Sequence, residues 1–216
     1  MSVKSIDRRA FLRMAGVGIA AAAVVGRSAL AAPPLPMATP IQRLNDALIA
    51  AMKAGRNTPF IRRYNGLEPA VEQAFDLDAI LRVSVGPRWA VIPSSQQEQL
   101  QTAFRRYTIA TYTANFDSYN GQRFEIEPGT RSVGAGEQVI TTHFVPADSS
   151  SPTTLSYVMR QTPSGWKAVD VLAEGSISRV ATQRSDFREL LVAGGGPALV
   201  ASLQRKVADL SGGALA

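Results

Sequence analysis

The chain of 216 residues contains no cysteine and only one histidine. Without cysteine it can form no disulfide, thiolate nucleophile or cysteine-ligated zinc site, and it lacks the residue that carries the lipid of a lipoprotein. An imidazole-based metal site would need several histidines. The single histidine, His143, lies in an alternating segment between Thr142 and Phe144, where a structural role is expected. We therefore predict no catalytic residue, no metal ligand and no cofactor.

A basic character is also missing once the first 31 residues are set aside. The whole chain has 23 Lys and Arg against 17 Asp and Glu, a net charge of +6. Five of those cations and one acid, Asp7, lie in residues 1–31, so the remainder has 18 against 16, a net charge of +2. Such a balance does not favour nucleic-acid binding.

Residues 1–31 have the pattern of an export signal. Arg8 and Arg9 precede an apolar run over residues 14–26, and Ala29-Leu30-Ala31 has the small residues that signal peptidases require. The apolar run of about 13 residues would span about 20 Å, too short for a membrane anchor across a core of about 30 Å. The paired arginines favour the twin-arginine route. We expect cleavage near Ala31 and a periplasmic protein.

The rest of the chain predicts one domain after a short tether. Residues 32–40 contain four prolines and predict an extended tether, and residues 41–212 form the domain. Helical spacing predicts helices over residues 41–53, from Pro59, from Pro69, over 77–85 with Asp76 or Asp78 as a cap, and over about 95–119.

The hydrophobic period then changes from helical to alternating. Alternation predicts strands over residues 123–128, 137–145, 153–161 and 165–174, joined by short turns. Helical spacing returns over residues 177–192 and 197–210, on either side of three glycines. The order predicts an α+β fold, with an antiparallel meander of about four to five strands covered by helices on one face.

Three segments resemble the MlaC, or toluene-tolerance, family of periplasmic lipid carriers. They are residues 166–178 (WKAVDVLAEGSIS), residues 75–89 with their Gly86-x-x-Trp89 turn, and the long helix from Gln96 through Tyr112. Residues 183–187 (QRSDF) fit the same pattern. Residues 107–119 (YTIATYTANFDSY) are more similar to the hopanoid-associated branch of that family, HpnM.

The resemblance implies a curved sheet and helices around an apolar cavity that holds phospholipid or hopanoid. It also implies two partners, an inner-membrane ABC transporter complex and an outer-membrane lipid-acceptor complex. The sheet residues that could line the cavity are Ile140, Phe144, Tyr157, Met159, Val169 and Val171. The helical residues are Phe75, Ile80, Val83, Trp89, Phe104, Tyr107 and Tyr112. Periodicity alone does not separate a cavity wall from a filled core, so any of these residues could be ordinary core.

Two other classes of function fit the same pattern. A small enzyme, such as an isomerase acting on a hydrophobic substrate, could use Asp170 or Glu174 as base with Tyr157 as hydrogen-bond donor. An ionised carboxylate inside an apolar pocket would favour that function. An interaction module without ligand would instead have a filled core.

The processing prediction is that the mature chain begins at or near Ala32. N-terminal sequencing of the protein from the periplasmic fraction measures this, and an intact Met1 in the membrane fraction would contradict it. Replacing Arg8 and Arg9 by Lys should block export by the twin-arginine route. Unchanged export of that variant would indicate the general secretion route instead.

Overall fold

The computed structural model describes residues 35–148 and 151–215, so the predicted export signal and the start of the tether lie outside the described residues. The fold is α+β, as predicted, with five helices and six strands in this part of the chain. The helices are α1 (Thr39–Ala54), α2 (Phe60–Ala74), α3 (Leu77–Val85), α4 (Ser94–Asn115) and α5 (Arg179–Ser211). None of the helices in the described part combines the length and the apolar character needed to cross a bilayer.

The end of the predicted tether is folded rather than extended. Pro36–Ala38 forms one turn of 3-10 helix, and α1 begins at Thr39. Pro40 lies in the first turn of α1, where backbone N–H groups have no acceptor within the helix, so proline removes no helical hydrogen bond there. Ala38 and Ile41 are buried in the core, so apolar burial orders this segment in spite of its prolines.

Pro69 was predicted to open a new helix, but α2 continues through it. Pro69 is exposed, whereas Tyr64, Leu67 and Val71 on the opposite face are buried in the core. Packing of that face therefore offsets the one hydrogen bond that proline removes.

Helix α4 is shorter than predicted and begins without a serine cap. It begins after Pro93 with no side-chain cap, and the Gln97 amide donates to the carbonyls of Trp89 (3.0 Å) and Ile92 (2.9 Å) in the preceding turn. It ends at Asn115, because Phe116 has left helical geometry at φ −116° and ψ 69°. The aromatic residues after Asn115 therefore do not continue the helix.

The strands are β1 (Arg123–Ile126), β2 (Arg131–Gly134), β3 (Glu137–Val145), β4 (Thr153–Thr162), β5 (Gly165–Ala173) and β6 (Ile177–Ser178). Strands β3 to β6 form the predicted antiparallel meander, and β1 and β2 pair with the free edge of β3. The sequence pattern missed β2 and β6. All four residues of β2 are exposed, and β6 has only two residues, so neither shows an alternation of burial.

Strand β5 contains a bulge that changes which side chains face the helices. Val158 pairs with Asp170, but Met159 pairs with Ala168, so Val169 is an extra residue on β5. Side chains alternate along a regular strand, so Ala168 and Val171 would lie on opposite faces without the bulge. With it, they oppose Met159 and Tyr157, both of which are buried in the core.

The helices pack against the face of the sheet that carries Ile140, Tyr157, Met159 and Ala168. Strand β5 meets the helices directly at the start of α3. The Asp76 N–H donates to the Ala168 carbonyl at 2.9 Å, and Phe75 forms a parallel bridge with Ala168. The Asp76 carboxylate then caps α3 by accepting from the Ala79 N–H at 3.0 Å, so of the two predicted cap candidates it is Asp76 and not Asp78 that forms the cap.

Replacing Asp76 by Ala should lower the free energy of unfolding by about 1 kcal/mol, because the Ala79 N–H loses its acceptor. Chemical denaturation measures the change. The matched control is Asp78→Ala, at an exposed position in the first turn of α3. That change should cost roughly 0.3–0.5 kcal/mol through the helix dipole alone. Equal losses from both variants would contradict the capping role.

Candidate functional site

A cavity of about 360 Å³ lies between the sheet and the helices. Fourteen of its twenty lining residues are apolar or aromatic. Twelve come from β1, β4, β5, α1, α3, α4 and α5, and Phe75 and Phe116 follow the ends of α2 and α4. Those fourteen are Leu48, Phe75, Leu77, Ile80, Phe104, Tyr107, Tyr112, Phe116, Phe124, Leu155, Tyr157, Val171, Ala173 and Val180. The size falls in the range of roughly 300–1,000 Å³ that is usual for small-molecule sites.

The structure brings seven of the predicted cavity residues together on this lining. They are Phe75, Ile80, Phe104, Tyr107, Tyr112, Tyr157 and Val171. The three from α4 are separated by three and five residues, and Thr108 and Thr111 complete the same helical face. Helical periodicity therefore predicted that these α4 residues lie on one face of the helix.

Two of the predicted residues, Ile140 and Met159, are filled core and not cavity wall. They are 1% and 0% exposed and do not line the cavity. Val169 is the bulge residue of β5 and is also absent from the lining. Regular alternation predicts that Val169 shares a face with Val171, and the bulge is the reason that this prediction was wrong.

The other three predicted residues lie outside the lining as well. Val83 is 51% exposed on the outer face of α3. Trp89 lies in the 3-10 turn Gly86–Val91, where the Arg82 guanidinium lies 5.9 Å from its ring centroid. Phe144 packs edge-on against Phe116, with the ring centroids 5.9 Å apart. Phe116 lines the cavity and Phe144 does not. Periodicity gives the face of an element but not what that face packs against.

Several lining residues were missed, although simple signals for them exist. Leu155 shares the strand face of Tyr157, and Ala173 shares that of Val171, two residues apart in each case. Phe124 is the first apolar residue of the alternating segment in β1. For Leu48, Leu77 and Val180, the sequence contains no signal that separates a lining position from the core.

Aromatic rings form a continuous series along one side of the cavity. The ring centroids of Tyr157 and Phe75 are 6.2 Å apart, those of Phe75 and Tyr112 5.7 Å, and those of Tyr112 and Phe116 6.1 Å. Phe116 then contacts Phe124 at 6.0 Å. Such contacts hold each ring in a fixed orientation. The wall is therefore formed by rings that support one another.

Burial raises the pKa values of two phenol groups in this wall, those of Tyr112 and Tyr157. Burial is the main cause that raises the pKa of Tyr157, and a side-chain hydrogen bond with Thr142 opposes it. Burial, with the neighbouring Tyr157, raises the pKa of Tyr112 well above its usual value, and the Arg179 charge opposes it. Both groups are neutral at physiological pH, so the wall that they form is uncharged.

Six polar residues complete the lining: Thr108, Thr111, Asn115, Asp170, Arg179 and Gln183. Asn115 and Arg179 are exposed, whereas Thr108, Thr111 and Gln183 are half-buried. These five come from the second half of α4 and the first two turns of α5. The polar residues therefore form a rim where the cavity meets solvent, which we call the α4–α5 rim.

The carboxylate of Asp170 is the one acidic group on the described lining, and both of its oxygens accept hydrogen bonds. Its Oδ1 accepts from the backbone N–H groups of Val171 (2.7 Å) and Val180 (3.1 Å). Its Oδ2 accepts from the hydroxyl of Ser178, the N-cap of α5. Asp170 thus joins the sheet to the start of α5.

Of the four residues considered for catalysis, the structure places two on the cavity lining and two outside it. Asp170 and Tyr157 both line the cavity, which the enzyme hypothesis required. However, the Asp170 carboxylate accepts hydrogen bonds from Val171, Ser178 and Val180. Glu174 is exposed in a turn at φ 50°. His143 does not line the cavity, and its Nε2 lies 2.6 Å from the Glu127 carboxylate. No cluster of metal-binding side chains occurs among the residues that the structure describes.

A second cleft, of about 770 Å³, lies between α4 and the end of α5 and differs in character. Its lining includes the charged residues Glu98, Arg106 and Arg205. The carbonyl of Leu215 accepts from the Arg106 guanidinium at 2.7 Å, so the end of the chain packs into this cleft. The smaller, apolar cavity is therefore the better candidate for a ligand site.

Comparison with known proteins gives one family and one fold. The family described as "MlaC protein" matches residues 42–205. A solved structure of a phospholipid-binding protein from Ralstonia solanacearum, in complex with a phospholipid, superposes with a TM-score of 0.70. It is 20% identical in sequence, and the match covers 82% of this chain and 99% of that chain. No curated protein matches the chain significantly.

The tyrosines of the cavity wall give a prediction for alkaline titration. In the unfolded chain all five tyrosines should ionise near pH 10, whereas folded Tyr112 and Tyr157 should stay protonated above it. Because their folded pKa values are raised, their contribution to stability is complete below about pH 10 and is lost as the pH rises further. Tyrosinate absorbance of the native protein and of its Tyr112→Phe and Tyr157→Phe variants measures this. Ionisation of both groups near pH 10 without unfolding would contradict the burial described.

Proposed function

The chain belongs to the MlaC family, and from that membership we propose that it is a lipid carrier whose ligand occupies the apolar cavity. One observation carries the proposal: an apolar, partly aromatic cavity lies inside the fold, and five of its six polar lining residues form a rim at its edge. Amphiphiles have the same division, since their tails avoid water and their headgroups require it.

The free energy gained by burying a lipid tail is consistent with reversible binding. Each methylene moved out of water contributes about 0.8 kcal/mol, so a tail of about 16 carbons would contribute on the order of 10 kcal/mol before ordering costs. Loss of translational and rotational freedom reduces this considerably. The remaining affinity would hold a lipid in solution and still permit its transfer.

The cargo that we propose is a phospholipid or a hopanoid. The phospholipid found in the Ralstonia solanacearum protein supports the first, since that protein shares this fold. The proposal of a hopanoid rests on the similarity of residues 107–119 to the HpnM branch. Within the periplasm, we further propose that the protein moves lipid between an inner-membrane ABC transporter complex and an outer-membrane acceptor complex.

We propose that the carrier has no enzymatic activity. Proton abstraction needs a carboxylate with a free oxygen facing the substrate. The oxygens of Asp170 accept three hydrogen bonds, one of them from the N-cap residue of α5 and one from its first turn. Those bonds favour a structural role for Asp170 over a role as general base.

Filling the cavity should reduce lipid content without loss of the fold. In Val171→Trp, the larger side chain would occupy space beside Tyr157 that we assign to the ligand. Organic extraction of the purified protein should yield about one lipid per wild-type chain and less than a third of that from the variant. Mass spectrometry of the extract measures both.

The matched control is Val83→Trp, the same substitution at an exposed valine outside the cavity. It should leave lipid content unchanged. Circular dichroism and thermal unfolding show whether each variant is folded. Wild-type lipid content in folded Val171→Trp, or wild-type protein that is free of lipid as isolated from its own cells, would refute the assignment of the cavity.

A further inference from the structure

On the α4–α5 rim, the amides of Gln183 and Asn115 offer hydrogen-bond donors, whereas the two threonine hydroxyls use their single protons within α4. The hydroxyls of Thr108 and Thr111 donate to the carbonyls of Phe104 (2.9 Å) and Tyr107 (2.8 Å) in their own helix. Gln183 accepts from the Ser84 hydroxyl through its Oε1 at 3.4 Å, and this leaves the N–H groups of its amide available. Asn115, at the exposed end of α4, likewise has an amide whose N–H groups bond no other residue that the structure describes.

The rim also carries an uncompensated cation. Arg179 is the one cationic residue on the lining, and no residue in the described part of the chain forms an ion pair or a hydrogen bond with its guanidinium. The Asp170 carboxylate on the same lining accepts from Ser178 and from the Val171 and Val180 N–H groups instead. Arg179 thus has five N–H donors and no acceptor for them among the residues that the structure describes.

We propose that Arg179, with the amides of Gln183 and Asn115, binds an anionic oxygen headgroup, so that the carrier selects negatively charged amphiphiles over neutral ones. This inference rests on the proposed lipid-carrier function and adds a headgroup class to it. The planar guanidinium matches two oxygens of a phosphate or a carboxylate at once. Tails in the apolar cavity would place such a headgroup at the rim.

The charge of Arg179 acts on the cavity and not only on solvent. It opposes the rise in the pKa of Tyr112, whose ring belongs to the aromatic wall. Arg188, by comparison, is exposed on the same helix two and a half turns further on and does not line the cavity. The two arginines therefore form a matched pair for mutation.

The experiment loads purified, delipidated protein from vesicles that contain equal amounts of three lipids with identical acyl chains. Phosphatidylglycerol is anionic, phosphatidylcholine is zwitterionic and diacylglycerol is neutral. Bound lipid is identified by mass spectrometry after the protein is separated from the vesicles. A parallel arm supplies oleate, which distinguishes a carboxylate from a phosphate as the preferred anion.

Wild-type protein should bind phosphatidylglycerol in preference to diacylglycerol by about tenfold, which corresponds to about 1.4 kcal/mol. Arg179→Gln should lose that preference while still binding diacylglycerol, Arg179→Lys should keep part of it, and Arg188→Gln should match wild type. Wild-type protein without a preference, or a preference that persists in Arg179→Gln, would overturn the inference and leave the carrier function intact. Failure to bind any of the lipids would overturn both.

Discussion

Hydrogen bonds from strand β5 to three helices fix the spacing between sheet and helices, and the cavity depends on that spacing. The Lys167 ammonium donates to the Glu72 carbonyl of α2 at 2.8 Å, and the Ala168 carbonyl accepts from Asp76 at the start of α3. Asp170 then binds the first turn of α5. The side chains of Lys167 and Asp170 are half-buried and have lost part of their hydration, so keeping these bonds favours the observed spacing between helices and sheet. The bulge at Val169 sets which residues between these anchors face the cavity.

The aromatic wall explains why the interior keeps a cavity instead of a filled core. Rings that stack in series, such as Phe75, Tyr112 and Phe116, cannot change rotamer singly without losing their contacts. An empty apolar cavity costs stability, and a ligand that occupies it stabilises the folded state by mass action. Stability and cargo are thereby linked in the proposed carrier, since the loaded form would be the more stable one.

Sequence periodicity predicted the elements well but the cavity only in part. The long apolar face of α4 and the strands around Tyr157 and Val171 follow directly from spacing in the chain. The bulge at Val169, the passage of α2 through Pro69 and the exposure of Val83 do not, because each depends on what the element packs against. The same reason separates Met159, in the filled core, from Tyr157, two residues away on the cavity wall. Patterns identify buried faces, and tertiary packing decides which parts of those faces enclose space.

Native mass spectrometry of the protein isolated from the cells that make it would show whether the cavity holds a lipid. The account predicts a mass above that of the polypeptide by one lipid molecule, which disappears after extraction with organic solvent. It also predicts that fragmentation of the released molecule identifies long apolar chains or rings. A folded protein that shows only the mass of its polypeptide under these conditions would contradict the account.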